Sequence, residues 1–362
     1  MVSAIIPARN EEASIARALE SVAAQSEIGE VIVVDDESTD RTAEILAELA
    51  TRIPKLRVMK ANPLPPGWTG KNHALAIGAA AAHGDWLLFT DADTFHFPGS
   101  TARALSDATD HNAVLVSYSP EQEMKTFWER ALIPVVYCEL ARNYSYERVN
   151  NPDLPDAAAN GQFLLVRRSV YECVGGHAAV APQILEDVAL AEIVKNAGNA
   201  IHFAAPTGVV RTRMYRTFVA MWDGWTKNLY LLFPGQTTPD EKWEKWMFGV
   251  IAGLLLAIGL WVPGGAAYEI ALARGEHSLA NWAILIVILL LWHTRYAFVL
   301  RRNHFPLKYI QYGFVGSWLF MLMHSISWWK NVHGTVVWKG REYPAKAKPY
   351  EHDVEKAPGQ TE

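Results

Sequence analysis

Acidic side chains at the ends of apolar runs carry most of the chemistry this chain could do. Asp91-Ala92-Asp93 closes the run Trp86-Leu87-Leu88-Phe89-Thr90. Side chains at i and i+2 of an extended segment point to one side, so Asp91 and Asp93 are expected on one face where a strand ends. Close carboxylates repel unless a cation lies between them. Hard divalent ions such as Mg²⁺ take oxygen ligands and share them with substrate phosphates. The stretch therefore reads as a metal–diphosphate site, with a solvated acidic turn as the plain alternative.

The elements around it favour the first reading. Val2–Pro7 and Val31–Val34 are apolar strands, the second ending in Asp35-Asp36, and Leu56–Met59 is a short third. Helices are expected over Ala13–Gln25, Thr42–Ala50 and Lys71–Ala82, with a Pro/Gly loop from Asn62 to Gly70. Strands alternating with helices imply an α/β fold with a parallel, helix-covered sheet. Ligands of such sheets bind beyond the carboxyl ends of the strands, where Pro7–Glu11, Asp35-Asp36 and Asp91–Asp93 all fall. Gly161–Arg167 reads as a further strand, Glu186–Asn196 as a helix with Glu186-Asp187 in its first turn, and Phe218–Leu232 as a helix. Phe127–Tyr137, aromatic and apolar but with charge and a proline, reads equally as an interfacial helix at a membrane surface or as a core helix.

Several classes are excluded. No Gly-x-Gly-x-x-Gly or Gly-x-x-x-x-Gly-Lys-Ser/Thr follows the first strand, which argues against a dinucleotide oxidoreductase and an NTPase. The net charge of −5 gives no sign of nucleic-acid binding. Two cysteines are too few for a disulfide framework and fit a reducing compartment. Met1–Pro7 has no basic flank and reads as a strand rather than a signal peptide.

Half of the 362 residues are hydrophobic, and they concentrate toward the C-terminal end. Residues 1–235 read as a cytoplasmic α/β domain, residues 246–329 as a membrane region and 330–362 as a polar tail. Residues 246–262 and 279–300 pass the length test for bilayer spans, and 309–329 is a third span or a re-entrant segment. Basic residues Arg301, Arg302 and Lys308 fall on the cytoplasmic side in this arrangement. The protein is thus expected in the cytoplasmic membrane with its catalytic domain inside.

Five motifs stand in one order: Ile5-Ile6-Pro7-Ala8-Arg9-Asn10-Glu11-Glu12, Val33-Val34-Asp35-Asp36-Glu37-Ser38-Thr39-Asp40, Gly67-Trp68-Thr69-Gly70-Lys71, Gly84-Asp85 with Asp91-Ala92-Asp93, and Glu186-Asp187. Over roughly residues 1–230 the chain resembles a family 2 glycosyltransferase of the GT-A fold. Within that family it resembles the branch that glycosylates membrane lipids: hopanoid-associated, carotenoid and ceramide glucosyltransferases. The resemblance implies inverting transfer of one hexose from a UDP-linked sugar to the hydroxyl of a membrane lipid. Pro7, Ala8, Glu11, Asp35, Asp36, Lys71, Asp91 and Ala92 would bind the nucleotide sugar. Asp91 and Asp93 would hold Mn²⁺ or Mg²⁺, Asp187 would be the general base with Glu186 beside it, and Asn160, Gly161, Gln162 and Trp225 would face the acceptor. A polyprenyl-phosphate acceptor is the alternative within the same class, and a catalytically inactive membrane scaffold or transporter the alternative outside it.

One motif departs from the family. Where relatives carry Gln-x-x-Arg-Trp, this chain has Met221-Trp222-Asp223-Gly224-Trp225. The departure argues against a processive polysaccharide synthase. It leaves Arg213, Arg216 or Lys227 to supply the missing cation to the diphosphate.

Overall fold

The structure, a computed structural model, describes residues 1–205, 207–233, 279–333, 335–338 and 341–344. The chain divides into two compact units, one from Met1 to Met221 and one from Trp222 to Trp338.

The first unit is built on a seven-stranded sheet. Its strands are β1 (Val2–Ala8), β2 (Ile28–Asp35), β3 (Leu56–Lys60), β4 (Trp86–Phe89), β6 (Leu115–Tyr118), β8 (Leu164–Arg167) and β9 (Ile201–Ala204), in the order β3-β2-β1-β4-β8-β6-β9. The period of two along β1 sorts the core into two layers. Ala4, Ile6 and Ala8 meet α1 (Ile15–Ala23) and α2 (Thr42–Arg52), while Ile5 meets α3 (Gly70–Ala80) and α9 (Glu186–Asn196). Alternate buried side chains on both faces are what a strand covered by helices on each side requires. α3 lies close on β1: a Cβ at Gly78 would come within 2.4 Å of Ile5 Cγ2.

β1, β2, β3 and β4 pair in parallel, as expected. Strand order reverses on either side of β1, so a crevice opens beyond the carboxyl ends of β1 and β4. The rest of the sheet corrects the all-parallel expectation. β8 runs antiparallel to both β4 and β6, and β6 is parallel to β9. Strand direction is set by the long connections between β4 and β8, which local patterns do not encode. A small second sheet, β5 (Thr94–His96), β10 (Val210–Thr212) and β7 (Glu121–Gln122), stands beside the crevice.

The helix at 127–143, α5, is a core helix over most of its length. Ala131–Cys138 are buried, and only Phe127 and Trp128 at its start are exposed apolar side chains. Its N-terminus carries a capping box, in which Thr126 accepts from the Glu129 N–H and Glu129 accepts from the Thr126 N–H. Glu129 then pairs with Arg213 at 2.8 Å, with both side chains largely removed from water.

In the second unit, α10 (Phe218–Asn228) ends against the helix Gly313–His333. Lys330 Nζ donates to Thr226 Oγ1 at 2.9 Å, and Ser327 Oγ accepts from Tyr230 N at 2.9 Å. The expected span 246–262 lies outside the described residues. The spans expected at 279–300 and 309–329 fall on the helices Leu279–Arg302 and Gly313–His333, the latter preceded by a 3₁₀ turn at Leu307–Tyr312. Among the described residues no helix is long and apolar enough to cross a membrane. The 3₁₀ turn shortens the last segment, and Ser317, His324, Ser325, Ser327, Lys330 and Asn331 interrupt its apolar character.

Candidate active site

The crevice holds a compact group of charges. Lys71 sits in the first turn of α3, just after the N-cap Thr69, whose side chain accepts from Asn72 N at 3.2 Å. Its Nζ lies 2.7 Å from Asp91 Oδ1 and 2.7 Å from Glu186 Oε1. Asp187 follows in the first turn of α9. Its Oδ2 accepts from Gly161 N at 2.7 Å and its Oδ1 from Val188 N at 2.9 Å. Gln162 Nε2 donates to Asp91 Oδ2 at 3.1 Å. The loop 160–162 thus fastens both acidic stretches at once. A Cβ at Gly161 would stand 2.9 Å from Lys71 Nζ, so any side chain there would displace the lysine tip.

These contacts set the charge states. Burial works against the Lys71 ammonium, but Asp91, Glu186 and Asp187 outweigh it and hold its pKa well above the ordinary lysine value. Burial raises the Asp187 carboxyl most and Glu186 raises it further, to about 7, against the opposing pull of Lys71 and of the Val188 and Gly161 N–H groups. A carboxyl near 7 changes hands with a proton at neutral pH, as a general base must.

A buried polar chain backs the loop. Thr90 Oγ1 donates to Gln162 O at 2.7 Å and lies 2.9 Å from His96 Nε2. Burial lowers His96 to about 3, so it is neutral. With the Thr90 hydroxyl hydrogen spent on Gln162, His96 is the donor at Nε2. His177 is 2 % exposed, edge-on to Phe89 and 2.9 Å from Tyr171 OH. It also lines the cavity beside Lys71, Glu186 and Asp187.

Asp91–Asp93 departs from the extended geometry expected. The three residues form a turn closed by Thr94 N donating to Asp91 O at 3.2 Å, because the next strand, β5, belongs to the second sheet. Asp91 lines the Lys71–Asp187 cavity, and Asp93 lines a second, neighbouring one with Ser14, Arg17, Lys125, Arg211 and Arg216. Arg17 and Lys125 share Glu123, Arg211 is paired with Glu121, and Arg213 is taken by Glu129. Arg216 donates instead to a backbone oxygen, Ala13 O, at 2.9 Å. Of the expected replacements for the missing motif arginine, Arg213 is therefore spent, Arg216 is placed beside Asp93, and Lys227 belongs to the second unit.

Among the described residues no group of three or more His, Cys, Asp or Glu is set to hold a metal ion unaided. The donor set of the turn is nevertheless of the hard-oxygen kind. Asp93 is able to ligate Mn²⁺ or Mg²⁺ whose remaining positions are filled by phosphate oxygens, since such ions are commonly bound through one or two carboxylates. Asp91 is engaged by Lys71 and would have to share.

The remaining nucleotide-side residues gather at the ends of β1 and β2. Ala8 is in register with Asp35, Pro7 with Val34, and Asp36 N donates to Ala8 O at 2.8 Å. Asp35 Oδ1 accepts from Ser38 N, and Arg9 Nη1 donates to Asp36 O. Asp40, just ahead of α2, accepts from Thr42 N at 3.0 Å, while the N-cap residue Arg41 makes no side-chain cap bond. Glu11 N donates to Thr42 Oγ1 at 2.8 Å, and Glu11 Oε2 accepts from Ser14. Asn10 and Glu37 hold left-handed backbone at φ 55° and 57° in these two turns, a strained conformation that clusters at ligand sites. Ala92 is buried beneath the turn.

The acceptor-side group is only partly together. Asn160 Oδ1 accepts from Gln162 N at 3.0 Å and shapes the loop. Gly161 and Gln162 face Asp187 and Asp91 rather than an open surface. Trp225 is 3 % exposed and is a packed side chain of the second unit, not an open stacking ring. The Lys71 bridge between Asp91 and Glu186 is the feature the sequence reading missed. Arg216, one of the three cations it named, lines the cavity with Asp93.

Residues 3–175 match the model of Glycosyl transferase family 2, which includes Asp35, Lys71 and Asp91 and ends before Asp187. The 4,4'-diaponeurosporenoate glycosyltransferase of Staphylococcus haemolyticus (strain JCSC1435) is 26% identical over 352 residues, 95% of this chain and 89% of the relative. That of Staphylococcus aureus (strain MRSA252) is 27% identical over 350 residues, covering 94% and 87%. A mannosyltransferase of Pyrobaculum calidifontis, solved in complex with GDP-mannose and Mn²⁺, superposes with a TM-score of 0.54 at 21% identity, over 92% of this chain and 87% of that one. A likeness at that identity is one of fold.

Proposed function

Taking the chain as a glycosyltransferase with a family 2 domain and the GT-A fold, we propose that it transfers a single hexose from a nucleotide sugar to the hydroxyl of a membrane lipid, with inversion at the anomeric carbon. The observation that carries this reading is the Asp187 carboxyl, fixed by Gly161 N, lining one cavity with Lys71, Asp91 and Glu186, and raised to about 7. The acceptor oxygen attacks the anomeric carbon as its proton passes to Asp187. The bond from that carbon to the diphosphate oxygen breaks, and the electron pair leaves with the nucleoside diphosphate.

Asp35 and Asp36 accept hydrogen bonds from the base and ribose of the donor, which suits carboxylates at the end of β2. A divalent ion bound through Asp93 would neutralise charge on the leaving diphosphate, and Arg216 adds a fixed cation beside it. Lys71 holds Asp91 and Glu186 in place and keeps Asp187 ionisable at neutral pH. The donor is a UDP-sugar in this reading; GDP-mannose, bound by the structural neighbour, is the comparison to run.

The names of the curated relatives support a carotenoid-type acceptor. Such a molecule resides in the bilayer, so the chain is taken to sit in the cytoplasmic membrane with residues 1–221 inside. Outward-facing Leu290, Leu291 and Phe298 on the helix Leu279–Arg302 support contact with lipid. A second reading follows from the same names, since an acceptor that is itself a carboxylate, like a polyprenyl phosphate, arrives ionised and needs no base.

The test is incubation of membranes holding the full chain with radiolabelled UDP-glucose, UDP-galactose, UDP-N-acetylglucosamine and GDP-mannose, followed by lipid extraction and mass analysis. A lipid gaining one hexose is expected. Label confined to water-soluble products would overturn the lipid acceptor.

A further inference from the structure

Lys71 and Asp187 reach the crevice on two helices far apart in sequence, and a single buried amide joins their approaches. Asn72, next to Lys71 in the first turn of α3, is fully buried. Its Nδ2 donates to Val180 O at 2.9 Å, Ala181 O at 3.1 Å and Gln183 O at 2.9 Å. Thr69 N donates to Ala181 O at 2.9 Å beside it. The segment Val180–Gln183 leads directly into Glu186 and Asp187.

Asn72 Oδ1 is buried without a partner among the described residues, and an unmet buried acceptor costs stability. What the amide accomplishes is registry: it fixes the start of α3 against the start of α9, so that Lys71 Nζ falls 2.7 Å from Glu186 and beside Asp187.

We propose that Asn72 is a positioning residue of the active site, whose side-chain amide sets Lys71 against Glu186 and Asp187 by tying the first turn of α3 to the 180–183 segment. The proposal rests on the reading of Asp187 as general base. The charged and titratable groups that bear on Asp187 are Glu186 on its own helix, Lys71 on α3, Tyr137 and Tyr144 on α5, and His177, neutral at these pH values, in the same cavity. Asp91 acts on it through Lys71. Lys71 is the group that lowers the Asp187 carboxyl, so its withdrawal moves the acidic limb of the rate profile to higher pH. General loosening, which only admits water, removes the burial that raises Asp187 and moves the limb the other way.

The experiment is the pH profile of kcat and the donor KM for Asn72→Ala and for the milder Asn72→Ser, in full-length protein, with whichever donor of the set above supports transfer. The expected result is a fall in kcat of about tenfold or more with donor KM changed by less than about threefold, as for a small misplacement of catalytic groups, and an acidic limb displaced upward. A limb that stays in place or moves down overturns the proposal. Asn72→Ser keeps one donor and is measured in place of Asn72→Ala if the latter does not fold. Asp187→Asn, assayed alongside, separates the two readings: turnover retained in that variant overturns the base assignment, whereas an unmoved limb in the Asn72 variants beside an inactive Asp187→Asn overturns the positioning role alone.

Discussion

Lys71 Nζ stands 2.7 Å from Glu186 Oε1, a contact between residues far apart in sequence that holds the start of α3 against the start of α9. The same ammonium reaches Asp91 Oδ1 at 2.7 Å. It is thus the cation that lets three acidic side chains share one crevice. Lys71→Met removes the group that lowers the Asp187 carboxyl, which then rises above about 7. A base must be deprotonated to act, so the acidic limb of kcat/KM moves to higher pH and activity at pH 7 falls by about a hundredfold. The pH–rate profile measures both.

Gly161 is the narrow point of the site. A methyl group there would meet Lys71 Nζ at 2.9 Å, and Lys71 has to move. Gly161→Ala is expected to lose about tenfold or more in kcat while keeping the wild-type unfolding midpoint within a few degrees. Turnover at the wild-type rate would mean that the Lys71 bridge is not needed.

Arg216 is the cation of the Asp93 cavity whose donated hydrogen bond goes to a backbone oxygen rather than a carboxylate. Arg216→Ala is expected to raise the donor KM by about tenfold, the worth of one charge-assisted contact, with Arg216→Lys recovering part of it. Calorimetric titration of the nucleoside diphosphate against both variants separates donor binding from acceptor effects.

Glu129 and Arg213 form a buried pair at 2.8 Å, and Glu129 also accepts from the backbone at the start of α5. Removing one partner leaves a buried charge unmatched. Glu129→Ala is expected to destabilise the protein by about 3–5 kcal/mol, read from denaturant unfolding, with Arg213→Ala nearly as costly. The loss should appear in stability before it appears in donor affinity.

The ends of β2 and β4 were legible because apolar strands there run into acidic residues, and α/β sheets put ligands at those ends. Asp35, Asp36 and Asp91 were marked out in this way, whereas Lys71 and Asp187, which lie on helices, were named only through the family resemblance. What escaped depends on contacts distant in sequence. Nothing near Leu164–Arg167 encodes that β8 runs antiparallel, and nothing in Asp91-Ala92-Asp93 tells that the next strand leaves for another sheet and bends the motif into a turn. The composition of Phe127–Tyr137 left an interfacial and a core helix equally open; the chain folds around it and the Glu129–Arg213 pair satisfies its charge. Trp225, expected to face the acceptor, is a packed side chain 3 % exposed. Gln162, read as facing the acceptor, turns inward because Asp91 needs a donor.

The central claim is that Asp187 takes the proton of a lipid hydroxyl. Its most direct test is single-turnover transfer by Asp187→Asn, with binding of the nucleoside diphosphate measured on the same preparation. The account predicts a loss of about a thousandfold or more in transfer with nucleotide affinity unchanged. Near wild-type transfer by that variant would contradict it and point to an acceptor that arrives already ionised.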